Sequence, residues 1–246
     1  MTNVMADPGS ATDLQLEIWR RGRMYFTADL HLGHERIIEL CDRPYTSTAE
    51  MNGSIIEGIN STVGSRNTLV ILGDVVLGKF EETLALLKEI RAARVLIVPG
   101  NHDRFSLAYG HRGAVEAQRT KRRLWMAEYE SQRRNGSLVC LEDRVTSEWT
   151  ARVAGRRVVL SHYPYRGDSI MGPQGEIVDR HRHLRPRDAG LPLIHGHVHG
   201  RWRELGRMLN VGVDVNGYRP VAEADIADWL ADVPTSVARG QAEPVA

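Results

Sequence analysis

Five short clusters of histidine, aspartate and asparagine punctuate this chain in one order. They are Asp29-Leu30-His31, Gly73-Asp74, Gly100-Asn101-His102-Asp103, Ser161-His162 and Gly196-His197-Val198-His199. The first three close strand-sized apolar runs, Met24 to Ala28, Thr68 to Leu72 and Val95 to Val98. Helical spacing falls between those runs. Met51, Ile55, Ile56 and Ile59 mark one helix over 47–63, with Ser47 or Thr48 as its cap, and Phe80 to Ile90 reads as another. A chain that ends buried strands in polar residues and returns through helices is confined to a layered α/β fold with parallel pairing.

Later segments fit the same class. Thr150 to Val153 and Arg157 to Leu160 flank Gly155 as a hairpin, Leu191 to Ile194 and Met208 to Val215 read as strands, and a helix over Glu223 to Leu230 closes the fold. Residues 1–23 form an arm or an added strand, 24–233 one domain, and 234–246 a disordered tail. Within the domain, 104–137 reads as a basic helical insertion, with eight Lys or Arg against three Glu between Arg104 and Arg134.

Composition narrows the function. The 246 residues suffice for one core, and a formal net charge of +1 argues no global attraction to nucleic acid or membrane. The longest apolar runs are too short to cross a bilayer, so no membrane partner is expected. The first twenty residues carry Asp7, Asp13 and Glu17 and lack an apolar signal core, which points to a cytoplasmic protein. Cys41 and Cys140 have no metal-type spacing and read as reduced thiols.

The clusters are a ligand set. Residues two apart in a strand point the same way, so Asp29 and His31 can aim at one cation, and His197 and His199 repeat the spacing. Asp74 and Asn101 each follow a strand and a glycine, whose missing side chain leaves room for close approach. Carboxylate, amide and imidazole suit two divalent metal ions, Mn2+ foremost, with Fe, Ni or Zn as alternatives. Two such cations bring four positive charges and the two aspartates return two. The excess binds a phosphate anion and acidifies a water between metals roughly 3.5–4 Å apart.

These blocks resemble the calcineurin-like metallophosphoesterase superfamily, whose D-x-H, G-D, G-N-H-D/E, lone H and G-H-x-H motifs stand here from Asp29 to His199. Leu32-Gly33-His34, Cys41-Asp42-Arg43-Pro44-Tyr45, Asn210-Val211-Gly212-Val213-Asp214 and Tyr218-Arg219-Pro220 are similar to a bacterial and phage subgroup. The resemblance implies a four-layer α/β/β/α sandwich with two central mixed β-sheets flanked by helices. It implies one metal held by Asp29, His31 and His199 and another by Asn101, His162 and His197, with Asp74 bridging. It also implies that His102 contacts substrate and protonates the leaving oxygen, with Asp103 orienting its ring. The expected reaction is phosphodiester hydrolysis by a hydroxide between the metals. Nucleotide-type diesters, 2′,3′-cyclic nucleotides or RNA ends, are the favoured substrates. Phosphomonoester or phosphoprotein hydrolysis and a non-catalytic partner-binding scaffold are the alternatives, and the presence of His102 speaks against the last.

Other residues carry two readings each. His34 either reaches substrate phosphate or packs locally, and Arg43 either clamps a phosphate or is a surface cation. His195 backs a ligand or fills the core, whereas His111, His181 and His183 are expected in solvent. Trp125 and Tyr129 either stack nucleic-acid bases or bury against the sheet. The run Arg180-His181-Arg182-His183 favours an anionic substrate larger than inorganic phosphate.

Overall fold

In the computed structural model, residues 20–104, 116–132, 138–140, 148–174 and 176–234 are described; most of the N-terminal arm and nearly all of the C-terminal tail lie outside them. The first sheet runs in the order β12–β1–β2–β3–β4, from Val221–Ala222, Met24–Thr27, Thr68–Leu72, Arg94–Val98 and Leu138–Cys140. Strands β1 to β4 are parallel and β12 is antiparallel to β1. Strands β2 and β3 are near-continuous apolar runs because both faces are covered. Leu69, Ile71, Val95 and Ile97 pack among helices, while Val70, Leu72, Leu96 and Val98 pack against a second sheet.

The helical side holds α1 (Ile37–Leu40), α2 (Thr48–Val63), α3 (Phe80–Ala85) and α4 (Glu116–Gln132). Helix α2 buries Met51, Ile55, Ile56, Ile59 and Val63 at the expected spacing, and Ser47 caps it by accepting from Glu50 N at 3.2 Å. The helix expected to Ile90 instead tightens into a 3-10 turn over Leu86–Glu89. Helix α4 lies between β3 and β4, two parallel neighbours, so what reads in the sequence as an inserted basic helix is their crossover. Trp125 and Tyr129 are buried in this layer, at 5% and 3% exposure, and Tyr129 donates to the Leu138 carbonyl. Of the two readings, burial against the sheet is the one the structure shows, and both rings belong to the core.

The second sheet runs β10–β11–β9–β6–β5, from Glu204–Leu205, Met208–Asn210, Leu193–His195, Arg156–Ser161 and Glu148–Val153. The β5–β6 hairpin turns at Ala154 and Gly155, both at positive φ (48° and 77°), the twist that suits a two-residue loop. Between the sheets lie Phe26, Leu72, Leu160, Ile194, Leu209 and their neighbours, joined by Ile226, Trp229 and Leu230 of α5 (Glu223–Asp232). On its other side, the second sheet packs Val159, Leu193 and Met208 against Tyr165, Leu191 and Trp202. A small hairpin pairs β7 (Ile170–Met171) with β8 (Ile177–Val178).

The strand expected over Met208 to Val215 stops at Asn210. The chain leaves the sheet there to pair Gly212 with Ala28 and to donate from Val213 N to Ala28 O at 3.1 Å. This crossing joins the two sheets at the end where β1, β2 and β3 deliver their polar residues. Among the described residues, no helix is long and apolar enough to cross a membrane.

Candidate metal centre

Among the described residues, five of the eight non-glycine positions at positive φ are predicted metal ligands: Asp29 (58°), His31 (50°), Asp74 (54°), His197 (74°) and His199 (47°). This corrects the strand argument for the two-residue spacings. Asp29 and His31 lie beyond β1, and His197 and His199 beyond β9, so left-handed turns aim the side chains. Such backbone costs on the order of 1–3 kcal/mol per residue and persists where surroundings over-determine it. Here Asp29 N donates to Gly73 O at 3.0 Å, His31 N to Asp74 O at 2.9 Å, and His197 N to the Asp29 carboxylate at 3.0–3.1 Å. Gly73 is needed where it stands: at φ 85°, a Cβ would sit 2.4 Å from His162 Nδ1.

All seven predicted ligands share one site. Ligand atoms of Asp29, His31 and His199 lie within 4.8 Å of one another, as do those of Asp29, Asp74 and His162. Asp74 Oδ2 is 3.5 Å from both His31 Nε2 and His162 Nε2. His162 Nε2 also stands 3.0 Å from Asn101 Oδ1 and 3.2 Å from His197 Nδ1.

The donor set fits divalent cations on two observations. Both ring nitrogens of His31 are buried without a hydrogen-bond partner, a state that costs about 1–3 kcal/mol per group when nothing else binds it. His162 Nδ1 lies 2.8 Å from the Leu72 carbonyl, so in the neutral ring the proton belongs there. Its Nε2 lone pair then faces the oxygens of Asn101 and Asp74, an assembly of acceptors that a cation reconciles.

Electrostatics separates the groups. Burial pushes the Asp29 carboxyl up to about 6. Burial works the same way on Asp74, but His162, His31 and His102 outweigh it and hold that carboxyl well below the usual range. Burial drives His31 well down and His197 down to about 2, keeping both rings neutral. Burial also opposes charge on His199, yet its hydrogen bond to Asp214 raises it to about 11.

Other expected residues fall differently. His102 is half-exposed above the centre, its Nε2 3.9 Å from Asp74 Oδ2 and its backbone N donating to Asp74 Oδ1 at 2.9 Å. Asp103 does not orient that ring as expected. Its carboxylate accepts from Asp74 N (2.8 Å), Val75 N (3.0 Å) and Gly100 N (2.8 Å), tying two ligand loops together. Arg43 is neither a surface cation nor a phosphate clamp. It is buried, and its guanidinium is engaged by Asp214 and by the carbonyls of Asp29 and Leu30. His34 lies at the site, its ring centre 5.3 Å from that of His31 and 6.3 Å from that of His102. His195 is fully buried against Trp202, the core reading.

Four residues at the site were assigned no part in it from sequence. Asp214 accepts from His199, Cys41 lies within 4.8 Å of both, and Asp168 stands 3.7 Å from His197 Nε2. His181, expected in solvent, is half-buried with its ring 4.9 Å from that of His197 and edge-on to it. Asp214 and Cys41 had a signal, since they end and open two of the subgroup motifs, and His181 lies in the basic run; Asp168 joins the site only through long-range folding.

Two mixed sheets flanked by helices, with carboxylate, amide and imidazole gathered at their joined ends, define a metal-binding hydrolase of the layered α/β class. The chain belongs to the calcineurin-like phosphoesterase family, whose model matches residues 22–201. The family's work is metal-dependent hydrolysis of phosphoesters. The chain is 31% identical over 213 residues to the Gene 66 protein of Mycobacterium phage L5, covering 84% of this chain and 93% of that one. It is 30% identical over 198 residues to the Gene 66 protein of Mycobacterium phage D29, covering 78% and 87%. The crystal structure of AQ665 from Aquifex aeolicus shares the fold, with a TM-score of 0.55 at 24% identity over 84% of this chain and 98% of that one.

Proposed function

We propose that this protein is a dinuclear phosphodiesterase. Asp29, His31 and His199 hold one divalent cation, Asn101, His162 and His197 hold the other, and Asp74 serves both. The cations supply Lewis acidity at phosphorus and a nucleophile at neutral pH. The mixed oxygen and imidazole donors, with no thiolate among the seven, favour Mn2+.

His102 is the residue placed to act on the leaving group. Burial lowers its pKa, so the ring is neutral before substrate arrives, and the charge of a bound phosphate favours its protonated form. From its half-exposed position it hands that proton to the departing oxygen. His34, beside it, contacts the phosphate.

The observation that carries the diester preference is Arg43. A monoester dianion draws on extra positive charge, and the arginine that the sequence offered for it is already neutralised by Asp214 at 2.8 Å. Nucleotide-type diesters, such as 2′,3′-cyclic nucleotides or RNA ends, are the proposed substrates. The exposed Arg180 and Arg182 beside His181 support an extended anion.

The test compares bis-aryl and mono-aryl phosphates with Mn2+, in wild type and His102→Ala. Wild type is expected to favour the diester. His102→Ala is expected to lose about 10²–10⁴-fold in turnover while keeping its metal. A large monoester advantage overturns the diester reading, and unchanged turnover overturns the role of His102.

A further inference from the structure

Behind His199 lie two buried charges that the reaction itself does not use. Asp214 Oδ2 accepts from His199 Nδ1 at 2.8 Å. Arg43 grips the same carboxylate in a fork, Nε to Oδ1 at 2.8 Å and Nη2 to Oδ2 at 3.1 Å. Its Nη2 and Nη1 also donate to the carbonyl oxygens of Asp29 (2.7 Å) and Leu30 (3.0 Å). The side chains are 0% and 3% exposed. One rigid assembly therefore holds the outer nitrogen of His199 and the peptide at the left-handed turn of Asp29.

Burying such a pair gains little stability over apolar packing, so its value lies in what it holds in place. We infer that Arg43 and Asp214 are positioning residues for the first cation, an inference that rests on the dinuclear reading above. Asp214 accepts a hydrogen bond from His199 Nδ1–H and fixes its ring, leaving the Nε2 lone pair for the metal. Arg43 locks Asp214 and, through the two carbonyls, the turn that aims Asp29.

The two histidines of the second cation are held more loosely, since the Asp168 carboxylate behind His197 pairs with Arg185. Asp168 stands 3.7 Å from His197 Nε2, beyond hydrogen-bond length, and His162 Nδ1 leans on a backbone carbonyl. Loss of the brace should therefore affect one position and spare the other.

The experiment titrates metal-free protein with Mn2+ and reads isolated against spin-coupled paired ions by electron paramagnetic resonance. Asp214→Asn is expected to bind one isolated Mn2+ as wild type does and to need about 10–100-fold more free Mn2+ to form pairs. A folded variant that pairs at wild-type concentrations, or that weakens both positions equally, overturns the brace. Should the unpaired guanidinium prevent folding, the neutral pair Arg43→Gln/Asp214→Asn must show the same one-position loss. If that also fails to fold, nitrogen-15 resonances of the wild-type zinc protein decide: His199 bound through Nδ1 refutes the proposal, and a hydrogen-bonded Nδ1–H upholds it. Wild type that never pairs Mn2+ sinks the dinuclear reading and the brace with it. Pairing in wild type beside an unchanged Asp214→Asn sinks the brace alone.

Discussion

The two halves of the centre are held by different means. Around Asp29, His31 and His199 the support is ionic and buried, an arginine and an aspartate gripping a ring and a peptide. Around Asn101, His162 and His197 it is looser: a backbone carbonyl, an Arg185–Asp168 ion pair whose other oxygen stands 3.7 Å from His197 Nε2, and neighbouring rings, with Tyr163 and His181 centred 5.0 and 4.9 Å from His197. Charge-assisted hydrogen bonds are short and directional, whereas ring contacts tolerate sliding. The first half is thus geometrically set before any ligand arrives. The second adjoins the half-buried His181 and the exposed arginines, the side from which the proposed extended anion would approach.

Asp74 is the strongest lever on this contrast, because its Oδ2 stands 3.5 Å from a histidine of each half. Asp74→Ala removes the shared carboxylate and leaves His31 and His162 without their common counter-charge. Expected are loss of paired Mn2+ and a fall in phosphodiester turnover of about 10³-fold, on the order of 4 kcal/mol. A variant that keeps both ions and more than a tenth of the activity would show that the halves do not depend on it.

The contrast also marks what the sequence could and could not reveal. Strand β2 was legible to the residue and α2 to its Ser47 cap, because apolar spacing and capping are local signals. The gathering of the seven candidate ligands was legible because five of them end a run or follow a glycine, and His31 and His199 stand two residues beyond Asp29 and His197. The Arg43–Asp214 pair was not, since its partners lie 171 positions apart and each alone looks like an ordinary charged residue. The left-handed turns at Asp29 and His199 escaped too, because strand alternation explains the same two-residue spacing without them. Trp125 and Tyr129 were ambiguous for a similar reason: helical spacing places them on one face without saying what that face meets.

Protons give a second way to separate the halves. In the metal-free protein burial disfavours charge on His199, but Asp214 outweighs it and raises the ring to about 11, so it is protonated at neutral pH. Burial leaves His197 at about 2, already neutral. A cation at the first position must displace a proton, and one at the second need not displace any from His197. Affinity at the first position is expected to rise about tenfold per pH unit between pH 7 and 8.5, while the second stays nearly flat. Asp29, at about 6, is mostly ionised across this range and adds little slope. Mn2+ titrations at three pH values read both slopes, and equal slopes would remove the distinction.

The smallest expected effect bears on the open half. His181 sits edge-on to His197 and stacked with Tyr163 at 5.7 Å, in a turn flanked by exposed arginines. Such ring pairs are worth about 0.5–1.5 kcal/mol, which makes His181 a trimming contact and not a ligand. His181→Ala is expected to raise KM for a dinucleotide about three- to tenfold, with kcat within about twofold and both Mn2+ affinities unchanged. A small bis-aryl phosphate, which reaches less of that rim, should show a smaller change. If the loss falls instead on metal affinity at the second position, His181 supports His197 and the open half is more firmly built than its ring contacts suggest. If neither KM nor metal affinity moves, substrate enters elsewhere and the contrast between a set half and an open one fails.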